Sequence, residues 1–372
     1  MTKRSLTLLA LLSCTVLATG CGKKEEAAPE EPSTTPVIEV GGEEPAPEPS
    51  EEEPVEEEEE TREGMYRSEL TNEWLDESLK NQRPIAAMVD NEKTALPHYG
   101  LSTADIVYEM TNSTMNQGVT RFMVMVKDWE KIEQLGSIRS VRPTNLQIAP
   151  EWNAVVCHDG GPFYIDLFLK NDFVDHFSGT FSRVNNGKAR EFTEYILPGD
   201  LEKNFSNSNV DREYNQYYIG PHYQFASEKN PVDLSSDSNA KDAKRVDLPF
   251  HHNNPFLEYN ESDGLYYYSE YGSAHVDPGN GNAQLCFKNI LIQNAYLEKL
   301  DDNGYMYFHS VDSNRDGYYI TNGKAIPVTW SKIDDMNPTR YYDMDGNEIK
   351  INTGKTYVAL VPEGDWGDLK IE

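Results

Sequence analysis

The first 64 residues restrict any packed core to positions 65–372. Lys3 and Arg4 precede an apolar stretch, Leu6–Ala18, which runs into Ala18-Thr19-Gly20-Cys21. A positive start, an apolar core too short for a comfortable transmembrane helix and small residues before a cysteine read as a bacterial lipoprotein signal. Cleavage before Cys21 would leave its thiol to carry lipid, tethering the rest to the outer face of a membrane. Leu11-Leu12-Ser13-Cys14 fits the same pattern, but cutting there leaves an apolar core of about seven residues, the lower limit for such a segment. An uncleaved anchor would give the same topology by a different attachment. Residues 1–21 are expected to be a signal peptide, with Cys21 as the lipidation site and the folded part extracytoplasmic.

Gly22–Gly64 holds 17 Glu, no Asp and three basic residues among frequent prolines. So little apolar surface cannot offset the conformational entropy of folding, so residues 22–64 read as a disordered, self-repelling spacer. A flexible chain of that length spans about 35 Å, and more when its charges repel. The tract carries −14 of the formal −30. Setting aside Lys3 and Arg4 as well leaves −18 for Met65–Glu372. With no basic patch to offset it, that acidity excludes nucleic acid as a partner and docking on anionic lipid. Cys157 and Cys286 are the cysteines beyond the signal. Neither lies in a C-x-x-C pair, so two separate thiols are the expectation, with no disulfide framework, metal or cofactor.

Along the remaining chain, Asn72–Lys80 reads as helix, and Ile85–Val89 as a buried strand ending at the turn pair Asp90-Asn91. Ile106–Met110 and Val119–Lys127 come next as a hairpin. A register whose paired numbers sum to 230 sets Tyr108 opposite Phe122 and the lone anion Glu109 opposite the lone cation Arg121. Asn145–Pro150 reads as helix, Ala154–His158 as a strand stopping at Asp159-Gly160-Gly161, and Phe163–Leu169 and Ala189–Ile196 as further helices. Beyond Pro249, Tyr- and Ile-rich runs alternate with Asp263-Gly264, Asn303-Gly304, Asp316-Gly317, Asn322-Gly323 and Asp345-Gly346, the pattern of hairpin-rich β structure. The expected class is α+β: an N-terminal mixed α/β-layered domain over 65–232, then a smaller all-β domain over 245–372, with the polar Ser227–Lys244 between them.

Several ordered words resemble a known family. They are Arg83-Pro84-Ile85-Ala86-Ala87-Met88-Val89-Asp90-Asn91, Gly100-Leu101-Ser102-Thr103-Ala104-Asp105-Ile106-Val107-Tyr108-Glu109, Thr120-Arg121-Phe122, Ile138-Arg139-Ser140-Val141-Arg142-Pro143 and Val155-Val156-Cys157-His158-Asp159-Gly160-Gly161. Later words are Gly317-Tyr318-Tyr319-Ile320-Thr321-Asn322-Gly323-Lys324, Val328-Thr329-Trp330-Ser331-Lys332 and Asn352-Thr353-Gly354-Lys355-Thr356-Tyr357. Together, over roughly Arg83 to Pro362, they resemble the YerB-type lipoproteins of Gram-positive bacteria. The resemblance implies a membrane-tethered protein of two domains and uncharacterised function. Where that family tends to show Arg-x-Ala-Pro-His-Asn, this chain has Lys188-Ala189-Arg190 followed by Glu191, so an activity needing that His and Asn is not expected.

Candidate chemistry gathers in the N-terminal half. Arg121, Arg139 and Arg142, with the Asp159-Gly160-Gly161 turn, could line an anion site, because guanidinium forks suit carboxylate and phosphate and a glycine turn exposes backbone N–H groups. The bland alternative is a structural Glu109–Arg121 pair with solvated loop arginines. Glu109 and His158 are the candidate acid–base pair if the chain is instead a hydrolase of wall polymer; Cys157 and His158 point to opposite faces and cannot form a dyad. Asp312–Gly317 begins like a calcium loop but has Gly323 at the twelfth position, so a hairpin turn is expected. His251-His252 reads as exposed loop. The leading functional expectation is a site for an anionic or glycan component of the cell envelope; a scaffold docking another exported protein is the third reading.

Overall fold

Apolar runs too continuous for one-sided strands set the architecture. Ile85–Asp90, Thr120–Val126 and Thr356–Pro362 are buried at every position, as expected of strands covered on both faces. The structure, a computed structural model, describes residues 61–372. The signal, Cys21 and all but the last four residues of the Glu-rich spacer lie outside the described residues.

Eleven strands make one mixed sheet. In chain order they are β1 (Ile85–Asp90), β2 (Ile106–Thr111), β3 (Thr120–Val126), β4 (Val155–His158), β5 (His176–Ser178), β6 (Lys241–Asp242), β7 (Asn289–Ala295), β8 (Arg315–Thr321), β9 (Lys324–Ser331), β10 (Arg340–Tyr342) and β11 (Thr356–Pro362). Across the sheet the order is β6-β9-β8-β7-β11-β2-β3-β1-β4-β5, with β10 beside β9. The seam between the sequence halves is β11, which lies parallel to both β2 and β7. A second sheet, built around Phe256–Asn260 and Leu265–Glu270, covers one face through Leu257, Tyr266 and Tyr268. That inner face of the main sheet presents Val89, Val107, Phe122 and Tyr357. The outer face presents Met88, Tyr108, Met123 and Trp330 and packs against α1 (Pro143–Ile148) and Trp152. Each core draws on residues from both 65–232 and 245–372, so the halves are joined through a common sheet.

The protein is mostly sheet with few helices, consistent with the α+β class at that level. Two expected helices are absent. Trp74–Asp76 is a strand pairing with Met65–Arg67, and only Glu77–Leu79 turns, as 3-10 helix. Glu194–Ile196 is likewise a strand, after a 3-10 turn at Arg190–Phe192. In both, strand pairing overrides weak helical propensity. Phe163–Lys170 is 3-10 helix, and the polar 227–244 segment contributes β6 to the sheet edge.

The hairpin register also differs, by one residue. Tyr108 opposes Met123, Glu109 opposes Phe122 and Met110 opposes Arg121, so the paired numbers sum to 231. The expectation matched Arg121 with the one acid on β2 and overlooked its other neighbour, β1, where Asp90 opposes Arg121. Because side chains alternate, that single step moves Glu109 to the inner face and leaves Arg121 on the outer one.

A buried ion pair ties the halves together on the outer face. Lys332 Nζ lies 2.8 Å from Glu151 Oε2, and the Thr339 backbone N–H and hydroxyl donate to the same oxygen at 2.9 and 2.8 Å. Burial alone would raise the Glu151 carboxyl, but Lys332 and His222 bring it down to about 2. Lys332 is its main charge partner; His222, lowered by burial and raised by Glu151, stacks on Trp152 at 3.8 Å. Glu151→Ala is expected to cost about 3–5 kcal/mol in denaturant unfolding, since it strands a buried ammonium. The Glu151→Gln/Lys332→Met double variant should lose clearly less than the sum of its single variants, a coupling read from a double-mutant cycle.

Candidate functional site

At the carboxyl end of β1, Asp90 is fully buried and organises the cations around it. Its Oδ2 lies 2.8 Å from Arg139 Nε and 3.6 Å from Arg121 Nη2. Its Oδ1 accepts the Glu92 backbone N–H at 2.7 Å. The backbone of 137–141 is laid between the ends of β1 and β4. Asp90 N–H donates to Ser137 O, Arg139 N–H to Met88 O, Asp159 N–H to Arg139 O and Val141 N–H to Gly160 O, all at 2.8–3.0 Å. Arg121 donates to Ser140 O at 2.7 Å.

Arg142 completes the cluster differently. Among the described residues no carboxylate pairs with it. Its Nη1 donates to Val141 O at 3.1 Å, its Nε has no partner, and the guanidinium sits 5.1 Å from the centre of the Tyr305 ring. Burial, then the neighbouring Arg121, pushes it down to about 9. Three guanidinium groups therefore meet two carboxylates, Asp90 and the more exposed Glu191, which is 3.0 Å from Arg139. Glu92 is a further anion acting on Arg121. From Tyr305 an aromatic strip leads outward to Tyr164, 6.3 Å away, and then to Phe163, 4.0 Å further and 70 % exposed.

The Asp159-Gly160-Gly161 turn borders the cluster without opening toward it. Gly160 N–H donates to Ser178 Oγ, and its carbonyl accepts from Val141. Gly161 is wedged against Ile165 and the Val141 carbonyl, where a Cβ would clash. Asp159 pairs with Arg183 at 2.9 Å, beside Glu194. Burial, then the hydrogen bond with Asp159 and its nearby charge, raises Glu194 to about 7.

Glu109 and His158 are not brought together. Glu109 points into the inner core, where Tyr357 and Tyr268 hydroxyls donate to Oε2 at 2.6 and 2.8 Å, and Thr120, Asn253 and Asn91 donate to Oε1. Burial and nearby Glu270 raise its carboxyl. His158 follows the outer-face alternation of Val156. Its two nitrogens meet Gly160 O at 2.7 Å and His176 at 3.0 Å, and burial lowers it to about 4. Asp312, read as a hairpin turn residue, lies 3.7 Å from Arg315 at the start of β8. Cys157 and Cys286 are free thiols.

Asp90 is the residue that sequence reasoning missed. Its signal was there to use: it is the one acid ending an otherwise apolar run, one strand away from Arg121.

Two family signatures cover this architecture. Residues 70–211 match the family described as "Protein of unknown function (DUF3048) N-terminal domain", and residues 246–358 match its C-terminal domain. The chain is 25% identical over 310 residues to the protein named "Putative lipoprotein YerB" of Bacillus subtilis (strain 168), covering 80% of this chain and 87% of that one. The crystal structure of YerB from Bacillus subtilis superimposes with a TM-score of 0.69 at 20% identity, over 82% of this chain and 99% of that chain. The chain belongs to the YerB-type family. The two family signatures meet in the main sheet, because β1–β5 fall in the first and β7–β9 in the second. Among the described residues of this YerB-type chain, no helix is long and apolar enough to cross a membrane.

Glu194 supplies a pH signature beside the arginines. A carboxyl raised in the folded state binds its proton more tightly there than when unfolded, so its favourable contribution is present at low pH and fades as pH rises from about 4.5 to about 7. Thermal melts across that window should show wild type gaining on Glu194→Gln as pH falls, with a constant difference above pH 7 and below pH 4.

Proposed function

We propose that the protein is a lipid-anchored extracytoplasmic protein that recognises an anionic or glycan component of the cell envelope through Arg121, Arg139 and Arg142. The observation that carries this reading is a shortage of acid: two guanidinium groups share Asp90, and the third, Arg142, has a carbonyl and an aromatic ring in place of a carboxylate. A buried or half-buried arginine is costly unless an anion meets it, and its planar fork is matched to carboxylate or phosphate. The aromatic strip from Tyr305 to Phe163 adds flat apolar faces beside the charge, a pairing suited to an acidic saccharide. The lipid anchor is supported by the cation–apolar–Cys21 order in the sequence and by the name of the Bacillus relative. In this arrangement the acidic spacer holds the site off the bilayer and disfavours contact with anionic lipid.

Purified wall fragments carrying anionic polymer are the test ligand. Arg142→Ala is expected to weaken binding about tenfold or more, since it removes one charge-assisted contact. Wild-type affinity should fall as salt rises from about 50 to about 500 mM, with a shallower dependence in the variant. Binding that is indifferent to both salt and Arg142 would remove the arginine site and leave the anchor as a separate question. Arg139→Ala, which also frees Asp90, should weaken binding and lower stability together.

A further inference from the structure

On the inner face, away from the arginines, a second polar group is sealed inside the protein. His98, Glu270 and His275 are 0, 2 and 3 % exposed, and one donor atom from each lies within 4.8 Å of the others. His98 sits in the connection between β1 and β2, packed edge-on against Phe122 at 5.8 Å. Glu270 ends the strand Leu265–Glu270, and His275 directly follows its short hairpin partner Ser273–Ala274. Folding therefore brings together residues from the two sequence halves.

The hydrogen bonding of these side chains is incomplete. His275 Nδ1 meets Glu270 Oε1 at 2.9 Å, so these two potential ligand atoms already lie side by side, while its Nε2 is buried without a partner. Neither nitrogen of His98 makes a hydrogen bond; the nearby Asp90 backbone bears on the ring without reaching bonding geometry. Each buried polar group left unmet costs about 1–3 kcal/mol, and both nitrogens of His98 and Nε2 of His275 are left so.

The surroundings match such an occupant. Asn253 Nδ2 bridges Glu270 Oε2 at 3.0 Å and Glu109 Oε1 at 2.8 Å, and Tyr268 donates to Glu109, so the carboxylates are oriented by outer hydrogen bonds. Both acids are met here by neutral donors and imidazole, and one divalent cation would balance their two charges.

We propose that His98, Glu270 and His275 form a binding site for a divalent cation of the zinc class, which staples the 91–100 connection of the N-terminal half to the 270–275 hairpin of the C-terminal half. Two imidazoles and one carboxylate favour zinc, cobalt or nickel over calcium or magnesium, which take oxygen ligands. Donors around such an ion sit about 3.5 Å apart, so the three side chains close by about an ångström when it enters. The staple joins elements that share no strand ladder with each other in either large sheet.

The test is a cobalt titration of the full chain, unfolded in chelator and refolded without metal. One equivalent should bind and give visible absorption bands of low-coordinate cobalt with imidazole ligands. Zinc should displace it, magnesium and calcium should not, and zinc should raise the melting temperature. His98→Gln and His275→Gln should each weaken cobalt binding by more than about 100-fold. A wild-type chain that melts cooperatively yet binds no cobalt overturns the proposal. So does binding unaltered in both variants, which would place the ion on the acidic surface. Should a variant fail to fold, imidazole N–H signals shifted by bound cobalt in the wild type decide the matter, two rings being expected and none overturning the site.

Discussion

The insertion of β11 between β2 and β7 holds this protein together. It is parallel to both neighbours, with Thr356 opposite Ile106 and opposite Asn289, and all seven of its residues are buried. Parallel strands cannot be joined by a tight turn, so this pairing depends on the intervening chain being folded first or at the same time. Roughly 250 residues separate Ile106 from Thr356 in sequence, and closing so long a loop is costly until the ladder forms. The halves consequently stand or fall together, and the buried Glu151–Lys332 pair reinforces the join on the outer face.

That shared sheet also separates two kinds of buried acid. Asp90 and Glu109 both sit at the same end of the sheet, on strands flanking β3, yet alternation turns them to opposite faces. On the outer face Asp90 meets the guanidinium groups of Arg121 and Arg139. On the inner face Glu109 meets tyrosine, threonine and asparagine, and burial raises its carboxyl. Chemistry that needs Glu109 and His158 in one cleft has no place in this geometry.

Strand positions were legible because buried parallel and central strands leave uninterrupted apolar runs, as at Ile85–Val89 and Phe122–Val126. Register was less so. Charge matching between β2 and β3 gave a self-consistent answer one residue away, because the true acid for Arg121 lies on β1 and pairwise reasoning within a hairpin cannot see a third strand. The helices expected at 72–80 and 189–196 failed for a related reason: short segments of mixed propensity follow whichever strand edge is available. The arginines were found because they stand out in apolar surroundings. Asp90 was passed over because an acid followed by asparagine looks like a turn, and His98 because its partners lie about 170 residues away.

The sequence by itself determined what is decided by local composition: the apolar strands, the β-rich second half and the family words they carry. Tertiary structure alone decided which residues meet. Side-chain alternation makes one step of register the difference between an arginine facing Glu109 and one facing Asp90, and only the long-range insertion of β11 fixes that step. The His98–Glu270–His275 cluster is likewise a product of folding, since its members come from both halves and meet only when the second sheet closes over the first.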